Sequence, residues 1–206
     1  MSNEYGYIPE APSQLARNSG VFSANDVVGL ETNLSFGGKL ELIQKQSVSS
    51  VTDVTFTNIK GEQYETHYIT IDAEHDTHAT AFVLRFYESG VERTSDYAYA
   101  HKYGDDNNLF SQYTSQGTGT MVVALSTTNT STAGSGIELY LHKLHNPNIY
   151  SFMTSVSHNL SDSTTGRFTY GGGVLMSFST VDQIKIFMND GTSTFSGNIN
   201  LYGVIE

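Results

Sequence analysis

Apolar and polar residues alternate with a period of two through much of this chain, most cleanly between Tyr64 and Tyr103. Tyr64, Thr66, Tyr68, Thr70 and Asp72 share one side of the first run, and His67, Ile69 and Ile71 share the other. In the second run Phe82, Leu84 and Phe86 alternate with Val83, Arg85 and Tyr87. In the third, Tyr97, Tyr99, His101 and Tyr103 alternate with Ala98, Ala100 and Lys102. Side chains of an extended strand point to opposite faces in turn, so each run predicts a strand with two unlike faces.

Weaker runs flank this block. Leu40 and Leu42 open a strand after Gly37-Gly38, and a second run follows near Val48 to Phe56. Met121 to Leu125 predicts a buried strand, and Ile137, Leu139 and Leu141 predict another. From Ile149, the residues Tyr150, Phe152, Thr154 and Val156 share a face. Phe168 and Tyr170 lead into Gly171-Gly172-Gly173, where a bulge or a close backbone approach is expected. Val174 to Phe178 follows, then a late strand carrying Ile184, Ile186 and Met188. Asn189-Asp190-Gly191 has the chemistry of a hairpin turn, and Ile199, Leu201 and Gly203 lie on the last strand. Residues 109–120 show no pattern, being broken by Gly117 and Gly119.

Roughly ten to twelve short strands with frequent turns point to an antiparallel sandwich or barrel. Uneven strands and long connections favour the sandwich. The predicted fold is all-β: an antiparallel jelly-roll-like β-sandwich over 37–206, preceded by an extended N-terminal arm over 1–36. Pro9 and Pro12 favour an extended path in that arm. Ser23 and Asp26 have capping-box spacing, which predicts one short helix over roughly 24–31. The arm is apolar without a period, so it should dock, either on its own domain or on another chain. Tyr5, Tyr7, Ile8, Val21, Phe22, Val27 and Leu30 are its candidate partner-binding residues.

Composition narrows the chemistry. The 206 residues carry a net charge of −11, which repels phosphate backbones and argues against nucleic-acid binding. Charged residues are only 15%, so the surface must be largely Ser, Thr, Asn, Gln and Gly, as exposed sheets have. Without cysteine there is no disulfide, thiol catalysis or Cys-based zinc site. Met1–Gln14 has neither a basic start nor an apolar stretch, so no secretory leader is expected, and no run is long enough to span a bilayer.

Glu74-His75-Asp76-His78 is the best group for a divalent transition ion, but a turn between strands explains the same residues. His67 and His101 could face each other across neighbouring strands, or simply sit in a tyrosine-rich face. Asp105-Asp106-Asn107-Asn108 offers oxygens for calcium but lacks the spaced ligands of an EF-hand. No Gly-x-Ser-x-Gly elbow is present, and the triple glycine precedes a strand rather than a phosphate-binding helix. No catalytic residue, metal or cofactor is therefore expected. The 13 tyrosines suit sheet faces, wet interfaces and sugar stacking.

Three stretches carry a resemblance. Tyr64-Glu65-Thr66-His67-Tyr68-Ile69-Thr70-Ile71, followed by Phe82-Val83-Leu84-Arg85-Phe86, Gly90 and Tyr97-Ala98-Tyr99, resembles a segment of tailed-phage structural proteins. Phe195 to Gly203 is similar to the ending of the same group. Tyr5-Gly6-Tyr7-Ile8-Pro9-Glu10-Ala11-Pro12 with Gly20-Val21-Phe22-Ser23 looks like N-termini of virion proteins from marine and cyanobacterial phages. The resemblance implies a non-enzymatic virion protein with a jelly-roll module. Its expected partners are phage capsid or tail proteins, and its expected assembly is a homotrimer. The leading expectation is a capsid-surface decoration or cement protein attached through its arm. The alternative is a tail-fibre or baseplate receptor-binding protein for host surface glycan, with Tyr97, Tyr99 and Tyr103 as candidate glycan or subunit contacts.

Overall fold

The computed structural model describes residues 40–76, 80–107, 109–125, 134–160 and 165–205. The predicted arm, its helix and its candidate residues Tyr5, Tyr7, Ile8, Val21, Phe22, Val27 and Leu30 lie outside the described residues. The described part is all strand and connection, with no helix among the described residues. Its strands are β1 (Leu40–Val51), β2 (Asp53–Phe56), β3 (Thr66–His75), β4 (Phe82–Glu88), β5 (Val91–Glu92), β6 (Tyr97–Asp105) and β7 (Phe110–Thr118). They continue with β8 (Met121–Ala124), β9 (Gly134–His142), β10 (Ser151–Leu160), β11 (Gly166–Leu175), β12 (Gln183–Met188) and β13 (Phe195–Val204).

These strands make a sandwich of two antiparallel sheets. The larger has the order β1-β13-β3-β9-β10-β11-β6-β7; the smaller is β2-β12-β4-β5, with β8 also pairing β4. The chain crosses repeatedly from one sheet to the other, as a jelly-roll-like sandwich requires and an up-and-down barrel does not.

The central strands follow their sequence pattern. On β3, His67, Ile69, Ile71, Ala73 and His75 are buried, and the residues between them face outward. Ile137, Leu139 and Leu141 of β9 and Ile199 and Leu201 of β13 bury the same side. Phe82, Leu84 and Phe86 of β4 meet them from the smaller sheet, beside Ile184, Ile186 and Met188 of β12. The Phe82 and Phe195 rings pack edge-on, 5.2 Å between centroids. Each such fully buried side chain stabilises by about 1.5–3 kcal/mol over exposure. A smaller cluster of Val83, Val122, Leu125 and Phe187 lies against Tyr99 and Tyr103 of β6.

Several expectations are corrected. The run near Val48 to Phe56 is split: β1 ends at Val51, and the chain changes sheets at Thr52 to enter β2. Residues 109–120 contain a strand, β7, whose lack of pattern reflects its place at the edge of the larger sheet, where both faces are wet. The Asn189-Asp190-Gly191 turn is not a hairpin, because β12 and β13 belong to different sheets. The Asp190 carboxylate holds that crossover by accepting the Thr192 and Ser193 N–H groups. His67 and His101 do not face each other, since β9, β10 and β11 lie between β3 and β6.

The triple glycine runs through the middle of β11 with no register break on either side, so it is a close approach and not a bulge. A Cβ on Gly171 would lie 2.3 Å from the Ala100 carbonyl oxygen. One on Gly173 would lie 2.7 Å from the Met121 Sδ. Small residues here let β8 seat Met121 and Val123 against the larger sheet.

Candidate binding face

One face of the larger sheet lines the core and the other is exposed. Cross-strand register arranges the exposed residues in rows. Tyr202, Tyr68 and Tyr140 pair directly across β13, β3 and β9. Their rings lie 6.0 and 4.8 Å apart, a tilted ladder of the kind that stabilises a sheet. Burial, and then the Glu138 carboxylate, pushes the Tyr68 phenol pKa up.

Beyond β9 the pattern inverts. On β10 the inward residues are Ser151, Met153, Ser155, Ser157 and Asn159, while Phe152, Thr154, Val156 and His158 face out. On β11 Phe168 and Tyr170 face out and Thr169 is buried. Phe152, Phe168 and Tyr170 are 42, 48 and 50% exposed, and Val156 also faces water. Isolated exposed apolar residues are ordinary, but a contiguous set on one sheet face marks a contact surface.

At the β10–β11–β6–β7 end this surface is hollowed into an open cavity of about 970 Å³. One row across it is His158, Phe168, Gly104 and Phe110. The next is Tyr170, Lys102 and Gln112, with Val156 continuing the row beside the cavity. His158 and Phe168 stack 6.3 Å apart at 9°, and Phe168 lies 6.1 Å from Tyr170. Phe110 is 85% exposed, and its ring lies over Gly104, where a Cβ would come within 2.8 Å of Cε1. The missing side chain of Gly104 makes the seat for that ring.

The cavity's charges are mostly engaged. Asp105 Oδ1 accepts the N–H groups of Asn107 and Leu109, which closes the β6–β7 turn. Asp106 Oδ2 accepts the Gly166 N–H. The Arg167 guanidinium lies 4.9 Å above the Tyr103 ring. Further along the same strands a shallower cavity of about 630 Å³ is floored by Ala98, Ala100, Gly172 and Gly173.

The candidate tyrosines fall mainly elsewhere. Tyr97 is fully buried: its hydroxyl accepts the Phe86 N–H at 2.8 Å and donates to the Arg93 carbonyl at 3.3 Å. That corrects its assignment as a glycan or subunit contact. Burial pushes its phenol up to about 12. Tyr99 stacks on Tyr113 at 5.6 Å, and both Tyr99 and Tyr103 pack toward the small inner cluster, although each also touches a cavity wall. The period-two reading of β6 was right, but its tyrosines are on the inward side and Ala98, Ala100 and Lys102 on the outward one. Sequence reasoning missed Phe110, His158, Phe168 and Tyr170 as site residues. The serines alternating with Phe152 and Val156 were the signal, because an apolar-against-serine strand has its larger groups available for the outside.

Among the described residues no three His, Asp or Glu side chains converge to hold a metal. Glu74 and His75 point to opposite faces of β3, so these two do not converge, and His78 lies outside the described residues. Compared with protein-family models and with curated proteins, the chain matches neither.

Proposed function

We propose that this chain is a non-enzymatic structural protein of a phage particle, of the capsid-surface decoration type, assembled as a homotrimer and attached through residues 1–36. One observation carries the adhesive reading: Phe152, Val156, Phe168 and Tyr170 are displayed on a sheet whose opposite side buries serine and threonine. A contiguous apolar and aromatic set on one sheet face is the kind of surface that meets a partner. The virion assignment rests on the sequence resemblance. The acidic balance suits a position away from packaged DNA.

Co-sedimentation with undecorated particles tests this reading. The full chain should bind, the chain lacking residues 1–30 should not, and Phe152→Asp with Val156→Asp should lower occupancy. Undiminished incorporation of both variants would overturn it.

A second reading, a tail-fibre or baseplate receptor-binding protein, draws support from the 970 Å³ cavity over β10, β11, β6 and β7. Immunogold labelling of whole particles separates the two, since head and tail positions are distinct.

A further inference from the structure

We infer that the cavity over β10, β11, β6 and β7 is a binding site for a neutral oligosaccharide, with Phe168, Tyr170 and Phe110 as its stacking platform. The inference rests on the second reading for its biological setting, but its geometry stands apart from any place on a particle.

Stacking surface is the first argument. Aromatic rings present a negative face, and the axial C–H groups of a pyranose present a weakly positive one. Phe168 and Tyr170 are half exposed on one strand, and Phe110 is seated over Gly104 two strands away. From β10 to β7 the site spans three strand intervals, about 14 Å, the length of a short oligosaccharide. A peptide strand would seek an edge of free backbone groups, whereas this cavity lies on a sheet face.

Polar chemistry is the second argument. The rim supplies Gln112, His158 and Lys102, planar or multi-donor groups that match adjacent sugar hydroxyls. A few polar groups around an apolar floor fix a ligand's orientation.

Charge decides the class. Lys102 and Arg167 balance Asp105 and Asp106 within the lining. Both carboxylates are held by backbone N–H groups, and Arg167 lies over Tyr103, so among the described lining residues Lys102 is the cation that remains at the exposed rim. One cation on a chain of net charge −11 is a poor receptor for a polyanion. Uronate-rich or sialylated glycans are therefore disfavoured against neutral hexose and N-acetylhexosamine chains.

The full chain on an array of tri- to hexasaccharides, neutral and anionic in matched pairs, tests this, with hits titrated by calorimetry. Neutral glycans should bind, and Phe168→Ala or Tyr170→Ala should each weaken binding at least tenfold. Gly104→Ala should do likewise by re-aiming the Phe110 ring without replacing any contact residue. Phe178→Ala, an exposed aromatic outside the cavity, should leave affinity unchanged, and melting curves should show all variants folded. Binding confined to anionic glycans overturns the inference and leaves the receptor reading standing. No binding to any glycan overturns both. Neutral binding insensitive to Phe168, Tyr170 and Gly104 overturns the site.

Discussion

On β3 the inward positions hold His67, Ile69, Ile71, Ala73 and His75; on β10 they hold Ser151, Met153, Ser155, Ser157 and Asn159. The two strands belong to one sheet, separated only by β9, yet they use their faces in opposite ways. Near β3 the sheet packs on Phe82, Leu84 and Phe86 of the smaller sheet, and bulk is needed on the inside. Near β10 and β11 the short strand β8 presses in, and small inward residues make room for Met121 and Val123. Outward, β3 shows a self-satisfied tyrosine ladder, and β10 with β11 shows unmatched aromatic surface. The lesson is that one half of the sheet spends its bulk on holding the sandwich together, whereas the other displays aromatic surface that, in the proposed function, meets a partner.

Truncation should separate the halves most sharply. Phe82→Ala removes a fully buried ring shared by both sheets and should cost about 3–5 kcal/mol in urea unfolding. Phe168→Ala, on the displayed side, should stay within about 0.5 kcal/mol of the parent. Comparable losses from both would erase the division drawn here.

The close approach under β11 comes next. Gly171→Ala drives a Cβ into the Ala100 carbonyl oxygen and the His101 backbone, which cannot yield without parting β11 from β6. Gly173→Ala meets the Met121 Sδ first, the far part of a flexible side chain. A cost of about 1–3 kcal/mol is expected for the former, and a smaller one for the latter, by thermal or urea melts.

Much of this fold was legible because inward bulk and outward polarity coincide on β3 and β9, and Phe82, Leu84 and Phe86 announce a core face. The sandwich class followed from those strands. β7 was opaque because an edge strand with two wet faces has no reason to alternate. The sheet change at Thr52 was opaque because the chain stays extended through it. The site was less legible: Phe152 and Val156 share a face in the sequence pattern, and Phe168 and Tyr170 precede the glycines, but nothing in the pattern marks them as contacts, because which face a strand turns inward is set by its neighbours. For β6 that choice buried Tyr97 and gave the outside to Ala98 and Ala100.

Acid should weaken the protein through its buried histidines, one on each side of the division. Burial pushes His67 below its ordinary value of 6.5, against the opposing pull of the Ile59 carbonyl, to which its Nε2–H donates at 2.7 Å. Burial lowers His101 likewise, against a backbone group of Val122. The unfolded chain therefore takes up these protons before the folded one does. Their contribution is fully present above pH 6.5 and is lost as pH falls from there through the folded values. Stability should drop by up to about 1.4 kcal/mol per pH unit for each histidine within that window. Urea midpoints at pH 7.5, 6.5 and 5.5 measure it, and His67→Gln should flatten the profile in part. A flat profile in the parent rules out this origin.

The smallest effect bears most directly on why β10 is inverted. The hydroxyls of Ser155 and Ser157 are buried without a hydrogen-bond partner among the described residues, as is that of Thr169 beside Ser157. An unpartnered buried hydroxyl costs about 1–3 kcal/mol relative to a satisfied one, whereas a methyl group in the same place costs nothing of that kind. Ser157→Ala removes the hydroxyl and almost no volume, so it should stabilise by about 0.5–1 kcal/mol. Thr70→Ala, on the exposed face of β3 where its hydroxyl accepts from Asn200 at 3.1 Å, should instead destabilise slightly. If Ser157→Ala destabilises, the serines are serving a bonded role inside the sandwich, and small size alone does not explain their place opposite β8.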